Sequence, residues 1–291
     1  MSAPQLLSPH SKDLGGGFMV RRLLPAGARQ AVGPFLFFDH FGPVTITPAD
    51  NHDVRPHPHI GLATLTYLFE GVILHRDNIG YTQRIEPGAI NWMTAGSGIV
   101  HSERKPEAER NTTYVNHGLQ LWLALPEAAQ EQPASFAHTP AGAIPEVREG
   151  DAHVRVLVGQ ALGVASPVVA QSPTLYLDVQ LPAGGNWTLP MLADEQAVYA
   201  VQGELQIDAE PLPPYTMALL ADAAVLTAGP EGARFVVIGG QPLGRRFISW
   251  NFVSTSKERI EQAGRDWEAG DARVGMGQVP GETERIPLPV R

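Results

Sequence analysis

The sequence predicts an all-β protein of two similarly built domains, with one short helix near its end. Three observations carry that expectation. The 291 residues include 30 Gly and 26 Pro, too many chain breakers for a helical bundle, while a 43% hydrophobic fraction suffices for a sizeable core. Apolar segments are short, bounded by turn residues, and where their pattern is clear its period is two. The same rhythm of strand and turn then runs through both halves of the chain.

In the first half, residues 34–38, 62–69, 71–75, 89–93 and 119–125 read as strands. Within 62–70, Ala63, Leu65, Tyr67 and Phe69 fall on one face and Thr64 and Thr66 on the other, as side chains on a strand alternate. Residues 126–150 turn to Ala, Glu, Gln and Pro without periodicity and read as a surface connector. A domain boundary belongs there, giving 1–135 as the first domain and 136–291 as the second. Strand patterns resume at 154–158, 174–179, 197–201, 204–207, 217–220 and 234–238, with a tight turn expected at Val201-Gln202-Gly203-Glu204. Thr255-Ser256-Lys257-Glu258 fits a helix start, Ile260, Ala263 and Trp267 follow on one helical face, and Gly270 is placed to stop the helix. That face should pack Trp267 against a sheet, and the Pro-, Gly- and charge-rich residues 271–291 should wrap the surface.

Composition excludes several classes of function. Lys and Arg total 21 against 30 Asp and Glu, a formal charge of −9, and no basic run offers a surface for phosphates, so direct nucleic-acid binding is disfavoured. Without cysteine there is no disulfide framework, thiolate-bound zinc, iron–sulfur cluster or thiol nucleophile. No signal-peptide pattern opens the chain and no run approaches 18 apolar residues, so no membrane association and a cytoplasmic location are expected. Phosphate-binding and dinucleotide-binding glycine motifs and the Gly-x-Ser-x-Gly elbow are missing.

The histidines carry the strongest signal. All ten precede residue 154 and eight of them precede residue 136, so a histidine-held metal is expected in the first domain. His57 and His59 are two residues apart, which on an extended segment aims both rings the same way. Pro56 and Pro58 stiffen that segment in an extended conformation. His101 and Glu103 repeat the spacing after Gly96-Ser97-Gly98-Ile99-Val100. Two such strands would converge four ligands on one ion. Three imidazoles and a carboxylate suit iron, zinc, copper, nickel, cobalt or manganese, and a six-coordinate ion would keep two positions for substrate and dioxygen or water. His75 reads as a hydrogen-bond or turn-stabilising residue rather than a ligand, His117 as a partner for backbone groups, and His40, among aromatics, as a buried core residue. Trp92 and Met93 read as core.

Several blocks together resemble the pirin family of the cupin superfamily. They are Pro34-Phe35-Leu36-Phe37-Phe38-Asp39-His40-Phe41-Gly42-Pro43, Pro56-His57-Pro58-His59-Ile60-Gly61, Thr66-Tyr67-Leu68-Phe69-Glu70-Gly71, Trp92 to Glu103, and Gly118-Leu119-Gln120-Leu121-Trp122. They fall in order over residues 34–126, whereas the second half resembles the family only in length and strand rhythm. The resemblance implies a bicupin, two jelly-roll β-barrels packed face to face, with one metal ion, iron, in the first. It carries the metal ligands over to His57, His59, His101 and Glu103. A glutamate four or five residues after the second histidine, common in cupins, is replaced by Ala63 and Thr64, leaving Glu103 as the only carboxylate. The implied activity is a quercetin 2,3-dioxygenase type of oxidoreductase using dioxygen on a flavonol or other small phenol, with Glu103 taking the substrate proton. The alternative is an iron-binding, redox-responsive regulatory protein that binds a protein partner without turnover.

Overall fold

The computed structural model describes residues 4–15 and 17–289, which form β-strands, short 3-10 turns and an α-helix, α1, at Lys257–Ala269. No helix among them is long and apolar enough to cross a membrane. The chain divides into two compact units, one of Met1–His10, Arg21–Phe38 and Gly142–Leu243, the other of Ser11–Val20, Asp39–Ala141 and Gly244–Arg291.

This grouping departs from a single cut after residue 135. The segment expected to be a surface connector contains the strand Ser135–Thr139, which pairs antiparallel with Ile90–Thr94 as the outermost strand of a seven-stranded sheet. It is short and Phe136 is its one buried residue, so its own sequence gives little sign of a strand. The last 48 residues rejoin the histidine-bearing unit because α1 and the tail beyond it pack against that unit. Ile260, Ala263 and Trp267 share a buried cluster with Ile60, Val100 and Phe252. The predicted start and stop of α1 are both present. Ser256 accepts from the Arg259 N–H, and Gly270 ends the helix at φ 65°, a left-handed conformation that suits glycine. The tail does more than wrap the surface, since Met276 and Val279 enter the same cluster and Glu282 is buried.

In the histidine-bearing unit the seven-stranded sheet includes Leu62–Glu70 between Ile90–Thr94 and Tyr114–Ala124. Residues 62–69 are buried on both faces, so the alternation of Leu65 and Tyr67 with Thr64 and Thr66 separates two interiors rather than core from solvent. Thr66 tolerates this because its hydroxyl donates to Gln120 Oε1 at 2.8 Å. A second, four-stranded sheet has the order Val54–His59, Ile99–Arg104, Ile73–Asp77, Thr82–Ile85. Gly61 links the two sheets at φ 68°, and a Cβ there would lie 1.9 Å from the Val253 carbonyl oxygen, so the chain can turn at that point only with glycine.

The other unit is built on a nine-stranded sheet around an apolar core that includes Val154, Leu177, Trp187, Val198, Leu226 and Phe235. Here the expected tight turn at Val201–Glu204 is instead the middle of one continuous strand, Glu195–Ile207, paired along its length with Ala224–Gly240. Register shifts between Ala200 and Gln202 and between Gly203 and Leu205 mark bulges, and Gly203 has φ 79°. A glycine that reads as a turn in sequence serves here to bend a strand.

Candidate metal centre

The first candidate pair, His57 and His59, sits on Val54–His59 and the second, His101 and Glu103, on Ile99–Arg104, and these strands are antiparallel neighbours with His57 directly opposite His101. Period-two alternation then points His57, His59 and His101 to one side. Their ring centroids lie 5.0 Å (His57–His59), 4.4 Å (His57–His101) and 5.0 Å (His59–His101) apart. All three are buried, and each offers a nitrogen within 4.8 Å of the others. Among the described residues this is the group with the proximity to hold a metal ion.

Burial sets the charge state. It lowers His57 from its ordinary range to about 4, against the opposing bond to the Arg55 carbonyl and with a smaller push from His75. Burial, then neighbouring His57, holds His59 well below the usual range, with the Asn251 backbone opposing. His101 is also held well below it, by burial and then by His57, His59 and His75. Three neutral imidazoles therefore face one another near pH 7, which is the form that ligates metals.

The hydrogen bonds around the rings decide which nitrogens are free. His57 Nδ1–H donates to Arg55 O at 2.9 Å, leaving Nε2 as an acceptor. His75 Nε2–H donates to Asp77 Oδ2 at 2.9 Å, so His75 Nδ1 accepts from His101 Nδ1–H across 3.3 Å. His101 Nε2 is thereby left with its lone pair, 3.1 Å from His59 Nε2. Two nitrogens each about 2.1 Å from a common ion and at right angles would be about 3.0 Å apart, so this spacing suits adjacent ligands. Lone pairs brought so close in a buried site repel unless a proton or cation lies among them. The donor set thus fits a borderline transition metal.

Glu103 follows His101 by two residues and is paired with His75 on the neighbouring strand. A register shift separates it from His101 on the other side, where its partner is Val54. It stands outside the three-histidine group. Burial alone raises its carboxyl to about 7, so at neutral pH it exchanges a proton readily.

Sequence reasoning missed the aromatic frame. Trp122 lies edge-on to His59 with centroids 5.1 Å apart, and Phe136 stacks on His75 at 4.4 Å. His75 itself is a hydrogen-bond partner, as expected, with Asp77 as the carboxylate behind it. Asp77 Oδ1 also accepts from the Ile79 and Tyr81 N–H groups, which fixes the carboxylate. His40 and His117 form a separate buried pair, Nε2 to Nε2 at 2.8 Å, so His40 is a core residue but His117 has a side-chain partner.

The fold and these residues define a class: a protein of two cupin domains with a buried histidine group in the first, able to bind metal. Residues 17–123 match the model of the Pirin family and residues 176–273 that of the Pirin C-terminal cupin domain. A Pirin-like protein of Caulobacter vibrioides is 45% identical over 282 residues, covering 96% of each chain. Human Pirin is 34% identical over 259 residues, covering 86% of each. The crystal structure of a quercetin 2,3-dioxygenase from Acinetobacter baumannii superposes with a TM-score of 0.91 at 32% identity, covering 99% of this chain and 96% of that one. The chain belongs to the pirin family.

Proposed function

We propose that this protein is a metal-dependent dioxygenase that cleaves quercetin or a related flavonol, with iron held by His57, His59, His101 and Glu103. The observation that carries this reading is the buried group of three neutral imidazoles with converging nitrogens. Its likeness to the Acinetobacter enzyme supports the choice of substrate class. Bound there, the ion would supply Lewis-acid polarisation of the substrate oxygens and the means of reaction with dioxygen.

The chain's own residues do the rest. Arg55 O and the Asp77–His75 pair hold the tautomers of His57 and His101 that keep Nε2 free. Trp122 restrains His59 and contributes to the apolar surroundings. Glu103, on the same strand as His101, takes the flavonol hydroxyl proton as general base. Ring opening with dioxygen would release carbon monoxide.

The test is anaerobic iron loading followed by quercetin-dependent oxygen uptake and carbon monoxide detection. Uptake at a rate proportional to bound iron is the expected result. A metal-replete protein that consumes no oxygen with a panel of flavonols and phenols would overturn the enzyme reading in favour of a regulatory, partner-binding one.

A further inference from the structure

The C-terminal tail touches both ligand strands, at the residues that lie beside the ligands. Along Ile99–Arg104, His101 and Glu103 point one way, so Ser102 and Arg104 point the other. Ser102 Oγ donates to Glu282 Oε1 at 2.8 Å. Arg104 donates to the same oxygen through Nε at 3.2 Å and to Glu282 Oε2 through Nη2 at 2.5 Å. Glu284 adds a contact to Arg104 at 3.1 Å. On the other ligand strand, the Ile286 N–H donates at 2.8 Å to the carbonyl of Pro56, the residue before His57. The tail is itself anchored, since Trp267 Nε1 donates to Ile286 O at 3.1 Å and Arg285 lies over the Trp267 ring at 4.6 Å.

Two features of the ligand strands make these contacts consequential. Pro56 and Pro58 have no N–H to donate to a ladder, and the pairing with Ile99–Arg104 is interrupted between His101 and Glu103. Val54–His59 is also an edge strand, paired on one side only, so its other edge is open to the tail. Glu282 and Arg104 are also buried, 7% and 9% exposed, and a buried ion pair contributes little net stability because desolvation offsets its attraction. Its geometric effect is to hold one position of the strand.

We propose that residues 275–286 are a strap that sets the spacing of the two ligand strands, with Glu282 as the positioning residue for His101 and Glu103. The proposal rests on the reading of the histidine group as a metal site. The strap ties the second ligand strand through Ser102 and Arg104 and the first through Pro56, so loosening it changes the distance between His57 and His101 without removing a ligand.

The test uses the full chain, metal-free, with Ni(II) as an air-stable probe, in the parent and in Glu282→Gln and Ser102→Ala. Circular dichroism first selects a temperature at which all are folded. Chelator competition then gives the Ni(II) dissociation constant, and absorption spectra report the ligand field. The expected result is affinity about tenfold weaker in Glu282→Gln, a smaller loss in Ser102→Ala, and altered Ni(II) bands in both. A general loss of stability would lower the melting temperature and leave the spectrum of the folded protein alone. If the parent binds Ni(II) and the folded variants match it in affinity and spectrum, the strap is overturned while the metal site stands. Should Glu282→Gln not fold, an unchanged Ser102→Ala overturns the strap by itself. A parent that takes up no Ni(II) overturns the metal-site reading, and the strap with it.

Discussion

His75 Nδ1 lies 3.3 Å from His101 Nδ1, while the opposite nitrogen of the His75 ring is bonded to Asp77. A carboxylate thus acts on His101 Nε2, the nitrogen turned towards His59, through an intervening ring. Asp77 keeps the proton on His75 Nε2, His75 in turn keeps the proton on His101 Nδ1, and His101 Nε2 becomes the more basic for it.

Asp77→Asn should weaken metal binding about 10- to 100-fold with the fold retained. Asp77 uses both oxygens as acceptors, one for His75 and one for the N–H groups of Ile79 and Tyr81. An amide has one acceptor oxygen, so one of these bonds must fail. Metal competition at pH 7 measures the loss, and an unchanged affinity would remove Asp77 from the chain.

The pH dependence of metal uptake tests Glu103. Its carboxyl is raised to about 7 in the metal-free protein, whereas His57 titrates near 4. If Glu103 is a ligand, binding below pH 7 must displace its proton, and log affinity should rise by about one per pH unit between pH 5 and 7, then level off. Glu103→Gln should flatten that window. The same shifts act oppositely on the stability of the metal-free chain. A raised Glu103 binds its proton more tightly when folded, so its contribution falls as pH rises from about 4.5 towards 7. The depressed histidines bind theirs more weakly when folded, so stability is lost as pH falls below about 6.5 towards 4. Urea titrations from pH 4 to 8 should show the Glu103 part vanish in Glu103→Gln.

His101→Ala should abolish stoichiometric metal while leaving the β-sheet spectrum intact, because apolar strands rather than the ion carry the stability of a chain this long. Metal analysis after dialysis, with circular dichroism on the same sample, decides it. No histidine- or cysteine-held site in residues 154–291 can take its place, since they contain neither residue. Retention of one ion per chain would show that the ligand assignment is wrong.

Trp267→Ala should cost about 3 to 5 kcal/mol in urea unfolding, as expected for deleting a large buried aromatic side chain. The indole fills the cluster of Ile60, Val100 and Phe252 and donates to Ile286 O. A loss under about 1 kcal/mol would mean that the helix docks without it.

His57 and His59 were legible because their spacing is local: alternation puts them on one face, and prolines keep that face extended; His101 entered through the repeated spacing with Glu103 and the family resemblance. Strand existence was legible for the same reason, and α1 because Ser256 and Gly270 mark its ends. The bond between His75 and His101 was not, because it depends on the register between Ile73–Asp77 and Ile99–Arg104, which no local pattern encodes. Nor was the role of Gly203, since a glycine at positive φ serves a hairpin turn and a bulge alike. The buried part of the tail was hidden because Met276, Val279 and Glu282 are isolated among polar residues, and their burial depends on distant partners.

Residues 244–291 and 39–141 form one compact unit, and Gly142–Leu243 of the other unit lies between them in the chain. A ribosome makes these segments in that order, so the histidines of residues 39–141 emerge long before the helix and tail that pack against their strands. Cutting the gene after residue 135 would likewise yield a fragment with His57, His59 and His101 and neither Trp267 nor Glu282. Assembly of the histidine group is therefore tied to completion of the distal segment, and a chain stalled within 142–243 carries the ligands on an unfinished scaffold.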